Sequence, residues 1–269
     1  MLLAALTAFA VTAVPTAAAA EGSSPPGGEG TAGPPYPYVT ELVGQFGTPV
    51  PLKDQAMLTV TDYGYLYRAG QQNSHVTVTR TEDGLLLADT GTERFKRVSP
   101  RCEKQKVERG VAALCPVPKR VSAEKPLLLE IWPRLGHDFV DVSSLSEEFA
   151  TTVLGDKGRE TVRFGAGWDF FNGFTGRDRI WGGGGNDWVR SGIGPDLVHG
   201  DAGDDQLVGV EGADTFYGGD GDDRLGGGPG DDVLDGGPGA DFILCDLGED
   251  TVLGTLLDQL LDRLLGCRD

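Results

Sequence analysis

The chain has 269 residues, with 41 acidic against 23 basic side chains, a net charge of −18, and 42 glycines. An acidic chain with no basic face argues against a nucleic-acid partner. Its four cysteines include no two at CxxC spacing, which argues against a metal held by cysteines.

Met1–Ala20 is almost wholly apolar or small and ends in Ala17–Ala20 before Glu21, which fits a secretory signal peptide cleaved near Ala20. A transmembrane anchor is the rival reading. Its Ala/Thr richness, Pro15 and the lack of a charged flank speak against it, and no other stretch could span a bilayer. Residues 21–38, opening EGSSPPGGEGTAGPPYP, read as a disordered Pro/Gly linker. Residues 39–154 read as a β-rich domain. MLTVTDYGYLYRA, HVTVTRT and GLLLADT alternate polar and apolar residues between Gly, Asn and Asp breaks. That length suffices for a small core. The basic run Arg94–Arg109 reads as a solvated loop.

From Gly155 to Leu253 the chain repeats every nine residues, eleven times without a gap, as in GGGGNDWVR (182–190), GDAGDDQLV (200–208) and GGPGDDVLD (227–235). Position 4 is Gly in all eleven copies, and position 6 is Asp in ten, with Glu160 opening the series. Position 8 is apolar throughout, from Val162 to Val252. A fixed period of this kind marks a solenoid. Position 8 reads as the centre of a short strand with one inward side chain, and the glycines as a tight turn that bares backbone carbonyls. One carboxylate per turn then supplies what a hard, oxygen-seeking cation needs. A Gly/Asp-rich flexible linker would have no reason to keep an apolar residue at every ninth place. Residues 155–269 hold 24 acidic against 9 basic side chains, a net −15, whereas 21–154 carry only −3. Carboxylates stacked along an edge repel one another until a cation neutralises them.

This array resembles the haemolysin-type calcium-binding, or repeats-in-toxin (RTX), nonapeptide family. The resemblance implies a right-handed parallel β-roll in which two nonapeptides make one coil and calcium sits between turns two copies apart. Aspartates eighteen residues apart would then share an ion. One edge would carry Asp169, Asp187, Asp205, Asp223 and Asp241; the other would carry Glu160, Asp178, Asp196, Asp214, Asp232 and Asp250. The edges differ in sequence. Positions 1 and 2 are both Gly in three of five copies on the first and once in six on the second, where Arg177 and Pro195 also intrude at position 5.

Residues 39–154 more loosely resemble the opening β-rich segment of secreted actinobacterial proteins of this type. That resemblance implies a pair Cys102–Cys115 and a degenerate aspartate turn at Gly136–His137–Asp138–Phe139–Val140. Four cysteines allow three pairings. In an exported protein, Cys102–Cys115 and Cys245–Cys267 are the favoured disulfides. Residues 254–269 read as a cap. Thr255–Leu265 has helical periodicity, Thr255 with Asp258 resembles a capping box, and Gly266 can end the helix.

No chemistry of catalysis is visible. His75, His137 and His199 are scattered, and no HExxH, GxSxG, phosphate loop or dinucleotide fingerprint occurs. Asp204–Asp205, Asp222–Asp223 and Asp231–Asp232 read as repeat residues rather than catalytic pairs. Phe170 and Trp188, both at position 7, are expected to stack on an outer face near Trp168 and Trp181, either packed against the preceding domain or open to a ligand. The expected fold is all-β: a β-rich domain, a β-roll over 155–253 and a helical cap. The expected protein is a secreted, extracellular, non-catalytic calcium binder with a structural or adhesive role and no membrane span once mature. Its expected partners are several calcium ions and a cell-surface or extracellular polymer. The alternatives are a carbohydrate-binding module or the remnant of an exported RTX-type enzyme or toxin.

Overall fold

A computed structural model describes residues 54–70, 73–254, 263–265 and 267, and residues 48–269 form one compact unit. The expected signal peptide and linker lie outside the described residues. Among the described residues the fold is all-β, with no helix and none long and apolar enough to cross a membrane.

A parallel solenoid of about seven turns runs over residues 127–252. Its strands fall alternately into two sheets. One stacks Leu127–Trp132, Phe149–Leu154, Phe170–Asn172, Trp188–Arg190, Gln206–Val208, Arg224–Gly226 and Phe242–Leu244. The other stacks Gly136–Asp141, Lys157–Arg163, Arg179–Trp181, Leu197–Ala202, Thr215–Asp220, Val233–Asp235 and Thr251–Val252. Nonapeptides two copies apart pair in register, as Val189 with Leu207 and Leu207 with Leu225. The position 8 side chains therefore form two facing columns, and from Val162 to Ile243 each is at most 1% exposed. Strands this short hold only because all but the last, Thr251–Val252, pack between two others and the column residues from Val162 to Ile243 are dry.

The parallel stacking begins at Leu127, ahead of the first recognisable nonapeptide at Gly155. Below it, antiparallel hairpins feed both sheets. Gln55–Val60 pairs with Gly64–Arg68, which runs parallel to Leu127–Trp132. His75–Arg80 pairs with Leu85–Asp89 and runs parallel to Gly136–Asp141. The period-two stretches of the sequence are thus strands, and Val76 and Val78 are their buried side. The basic run is exposed but only partly loop. It supplies Arg94–Val98 and Glu103–Gln105, the last strands at that end of each sheet. Exposed Arg and Lys side chains suit such edges, because they discourage further strand pairing.

The far end also differs from expectation. Arg263–Leu265, expected at the end of the capping helix, is a strand parallel to Phe242–Leu244, with Leu264 opposite Ile243. A strand can satisfy the backbone groups of Phe242–Leu244 on their open side, which a helix packed there could not. The rest of the expected helix lies outside the described residues. The disulfides Cys102–Cys115 and Cys245–Cys267 are both formed, and no free cysteine occurs among the described residues.

Candidate metal centres along two turn edges

Each turn ends in its position 6 carboxylate, and the coil geometry lines these up. On the first edge the amide of Asp169 donates to Oδ1 of Asp187 (2.8 Å), Asp187 to Asp205 (2.7 Å), Asp205 to Asp223 (2.8 Å) and Asp223 to Asp241 (2.8 Å). On the second edge Glu160 donates to Asp178 (2.9 Å), Asp178 to Asp196 (2.7 Å), Asp196 to Asp214 (2.8 Å), Asp214 to Asp232 (2.8 Å) and Asp232 to Asp250 (3.0 Å).

The second oxygen of these carboxylates behaves differently. Oδ2 of Asp178, Asp187, Asp196, Asp205, Asp214, Asp223 and Asp232 is buried and has no hydrogen-bond partner. A buried carboxylate oxygen without a donor is costly unless a cation meets it. Burial is the main reason these carboxyls are held above the usual carboxylate range: Asp205 at about 8, Asp214 and Asp223 at about 7, Asp232 at about 6. The amide each one accepts offsets part of that rise, and the neighbouring aspartates add to it. Asp187 is pushed well up by burial, then by Asp169 and Asp205.

The glycines make room for this arrangement. A Cβ on Gly173, Gly182, Gly200, Gly209, Gly218, Gly227 or Gly236 would collide with Oδ2 of the aspartate five residues on. Position 2 turns left-handed in most copies, at φ 88° in Gly183 and 92° in Gly237. Phe174 (φ 67°), Asp201 (72°) and Asp246 (62°) take the same conformation without being glycine, at a cost of about 1–2 kcal/mol for Phe174 and less for the aspartates.

Among the described residues no three His, Cys, Asp or Glu side chains converge as a metal cluster. One carboxylate per turn cannot make one. A cation here would need a carboxylate from each of two turns and backbone carbonyls for the rest, a donor set that suits calcium. Asp169 stands apart from the other expected ligands. Its Oδ1 accepts the Thr151 amide (2.5 Å) and its Oδ2 the Gly165 amide (3.2 Å), so both oxygens are engaged.

Two rows went unread in the sequence. At position 5, Oδ1 of Asn186 accepts the amide of Asp204 (3.1 Å), and that of Asp204 accepts the amide of Asp222 (3.0 Å). At position 9, Trp181, His199 and Tyr217 stack with centroids 5.9 and 4.7 Å apart. Their spacing of eighteen residues was the available signal. Phe170 and Trp188 do meet, edge to face at 5.3 Å, but Phe170 is buried and Trp181 lies in the other sheet.

Residues 165–198, 199–234 and 217–252 match the family described as RTX calcium-binding nonapeptide repeat (4 copies). No curated protein and no solved structure matches the chain. RTX nonapeptide repeats are calcium-binding motifs, and the match falls on the coils whose turns carry the orphaned carboxylate oxygens. Over residues 165–252 the chain is therefore an array of RTX calcium-binding nonapeptide repeats wound as a parallel β-solenoid.

Proposed function

We propose that this is a secreted, non-catalytic protein whose calcium-loaded roll serves as a structural or adhesive module at a cell surface or on an extracellular polymer. The observation that carries the calcium reading is the column of buried, partnerless Oδ2 atoms at eighteen-residue intervals. Calcium would sit between like turns, with ligands from Asp169, Asp187, Asp205, Asp223 and Asp241 on one edge and Asp178, Asp196, Asp214, Asp232 and Asp250 on the other. Filling all nine gaps between like turns from Glu160 onward, four and five on the two edges, would add +18, matching the chain's −18. Two disulfides suit an oxidising, extracellular setting.

The test is a calcium titration of metal-stripped protein, read by far-ultraviolet circular dichroism and by calcium bound at equilibrium. β-structure should grow with calcium, with a midpoint on the order of 10⁻⁴–10⁻³ M, the range of extracellular modules. A spectrum already β-rich in excess chelator and unchanged by millimolar calcium would sink the reading.

The stacked row Trp181–His199–Tyr217 favours a second reading, carbohydrate binding across that sheet. Retention on insoluble polysaccharide that Trp181→Ala abolishes would support it. Equal retention of the two proteins would remove it.

A further inference from the structure

The carboxylate column does not stop where the nonapeptides stop. Gly136–Asp141 runs in register with Lys157–Arg163, so Gly136 faces Gly158, Asp138 faces Glu160 and Val140 faces Val162. These are positions 4, 6 and 8 of the repeat, although the segment lies outside the matched residues and is offset by twenty-two rather than eighteen. The bonds below it follow the repeat pattern as well. Oδ1 of Asp138 accepts the Ser74 amide at 2.5 Å, and Oδ1 of Asn73 accepts the His137 amide at 2.9 Å. The same pair of bonds joins Asp187 to Asp205 and Asn186 to Asp204 higher up.

What remains over is the same at Asp138 and larger at Glu160, which accepts no amide from the turn below. Oδ2 of Asp138 and both carboxylate oxygens of Glu160 are buried without a partner, in residues 2% and 1% exposed. Among the described residues neither forms an ion pair. The nearby charges of Arg134 and Lys157 bear on Asp156. A Cβ on Gly158 would collide with the Gly136 carbonyl oxygen and sit 3.3 Å from Oε1 of Glu160, so backbone and carboxylate oxygens approach one another there.

We propose that Asp138 and Glu160 hold one further calcium ion, at a turn outside the nonapeptide array, with backbone carbonyl oxygens of the two turns completing the donor set. This rests on the reading that like-placed aspartates of the roll bind calcium. The ion would fasten the hairpin carrying Asn73 and Ser74 to the first coil, because the carboxylate that meets the ion also holds the Ser74 amide. Calcium would then order the junction below the repeats, and not the repeats alone.

The experiment counts calcium bound per full-length chain at saturation, by equilibrium dialysis, for wild type, Asp138→Asn and Asp138→Glu. The Asn variant keeps an oxygen for the Ser74 amide and loses the charge. It should bind one calcium fewer, while the Glu variant keeps the wild-type number. An unchanged count in Asp138→Asn overturns the proposal. Should that variant lose its β-signature, anomalous density in calcium-soaked crystals of wild type decides: filled sites within the repeats with none between Asp138 and Glu160 also overturn it. A wild type that binds no calcium fails the underlying reading instead.

Discussion

The amide of Asp187 donates to Oδ1 of Asp205 at 2.7 Å, and Oδ2 of Asp205 is left buried beside it with no donor. One side chain therefore has two separable roles. Asp205→Asn keeps an acceptor for the Asp187 amide and removes the charge, so it should raise the calcium midpoint several-fold while costing little at saturating calcium. Asp205→Ala also strands a buried amide, a further loss of about 1–3 kcal/mol. Chemical denaturation at saturating calcium should separate the two variants. Equal stability would show that the ladder bond contributes nothing.

Proton binding should compete with calcium. Burial lifts Asp205 to about 8, Asp214 and Asp223 to about 7 and Asp232 to about 6, against roughly 3.9 in an unfolded chain. A carboxyl raised on folding stabilises the fold in its neutral form. That contribution is full below about pH 4 and is lost as pH rises through 6–8. Metal-free protein should therefore be more β-rich at pH 5 than at pH 8. The calcium midpoint should fall between pH 6 and pH 8 as protons leave, and proton release should make the calorimetric heat depend on the buffer. Identical circular dichroism in chelator at both pH values would count against these buried carboxyls.

Much of this was open to reading because the chain repeats. A period of nine with an apolar residue at each position 8, from Val162 to Val252, admits one economical packing, and the two-column core follows. The aspartates share that period, so their alignment was legible as well. Asp138 was named only through the looser resemblance, and its place opposite Glu160 was harder to read, since the offset between them breaks the period and strand register restores it. The different situation of Asp169 depends on Thr151 and Gly165, whose amides carry no signal in the side-chain sequence. The strand at Arg263–Leu265 was masked by six leucines between Thr255 and Leu265 that fit a helix by local periodicity. The open edge of Phe242–Leu244, which favours a strand there, is a tertiary demand.

Phe174 offers a test of the turn geometry. It sits at φ 67° and is 55% exposed, so it bears left-handed strain with little packing in return. Phe174→Gly should stabilise the calcium-loaded protein by about 1 kcal/mol, the strain relieved less the added freedom of the unfolded chain. Val210 holds the same repeat position without a positive φ. Val210→Gly should therefore give no such gain and cost about 0.5–1 kcal/mol. Thermal midpoints in saturating calcium distinguish the pair, and parallel effects would remove the role of strain.

The two edges should bind calcium unequally. On the first, Gly200 opens the turn of Asp205, and burial with acidic neighbours leaves that carboxyl strongly raised. On the second, Ser191 replaces the opening glycine of the Asp196 turn. The Asp178 amide and the Arg177 charge both act to lower an Asp196 carboxyl that burial raises. Arg177 then repels an incoming cation, and Pro195 fixes φ immediately before Asp196. A site already partly compensated by its own protein gains less from calcium. Asp205→Ala should accordingly raise the calcium midpoint more than Asp196→Ala does, since each removes one carboxylate from a central turn. The comparison is made by titrating both variants and wild type at one pH and ionic strength, because screening would narrow the gap. A larger shift for Asp196→Ala, or equal shifts, would reverse or erase the ordering of the edges while leaving calcium binding by the roll intact.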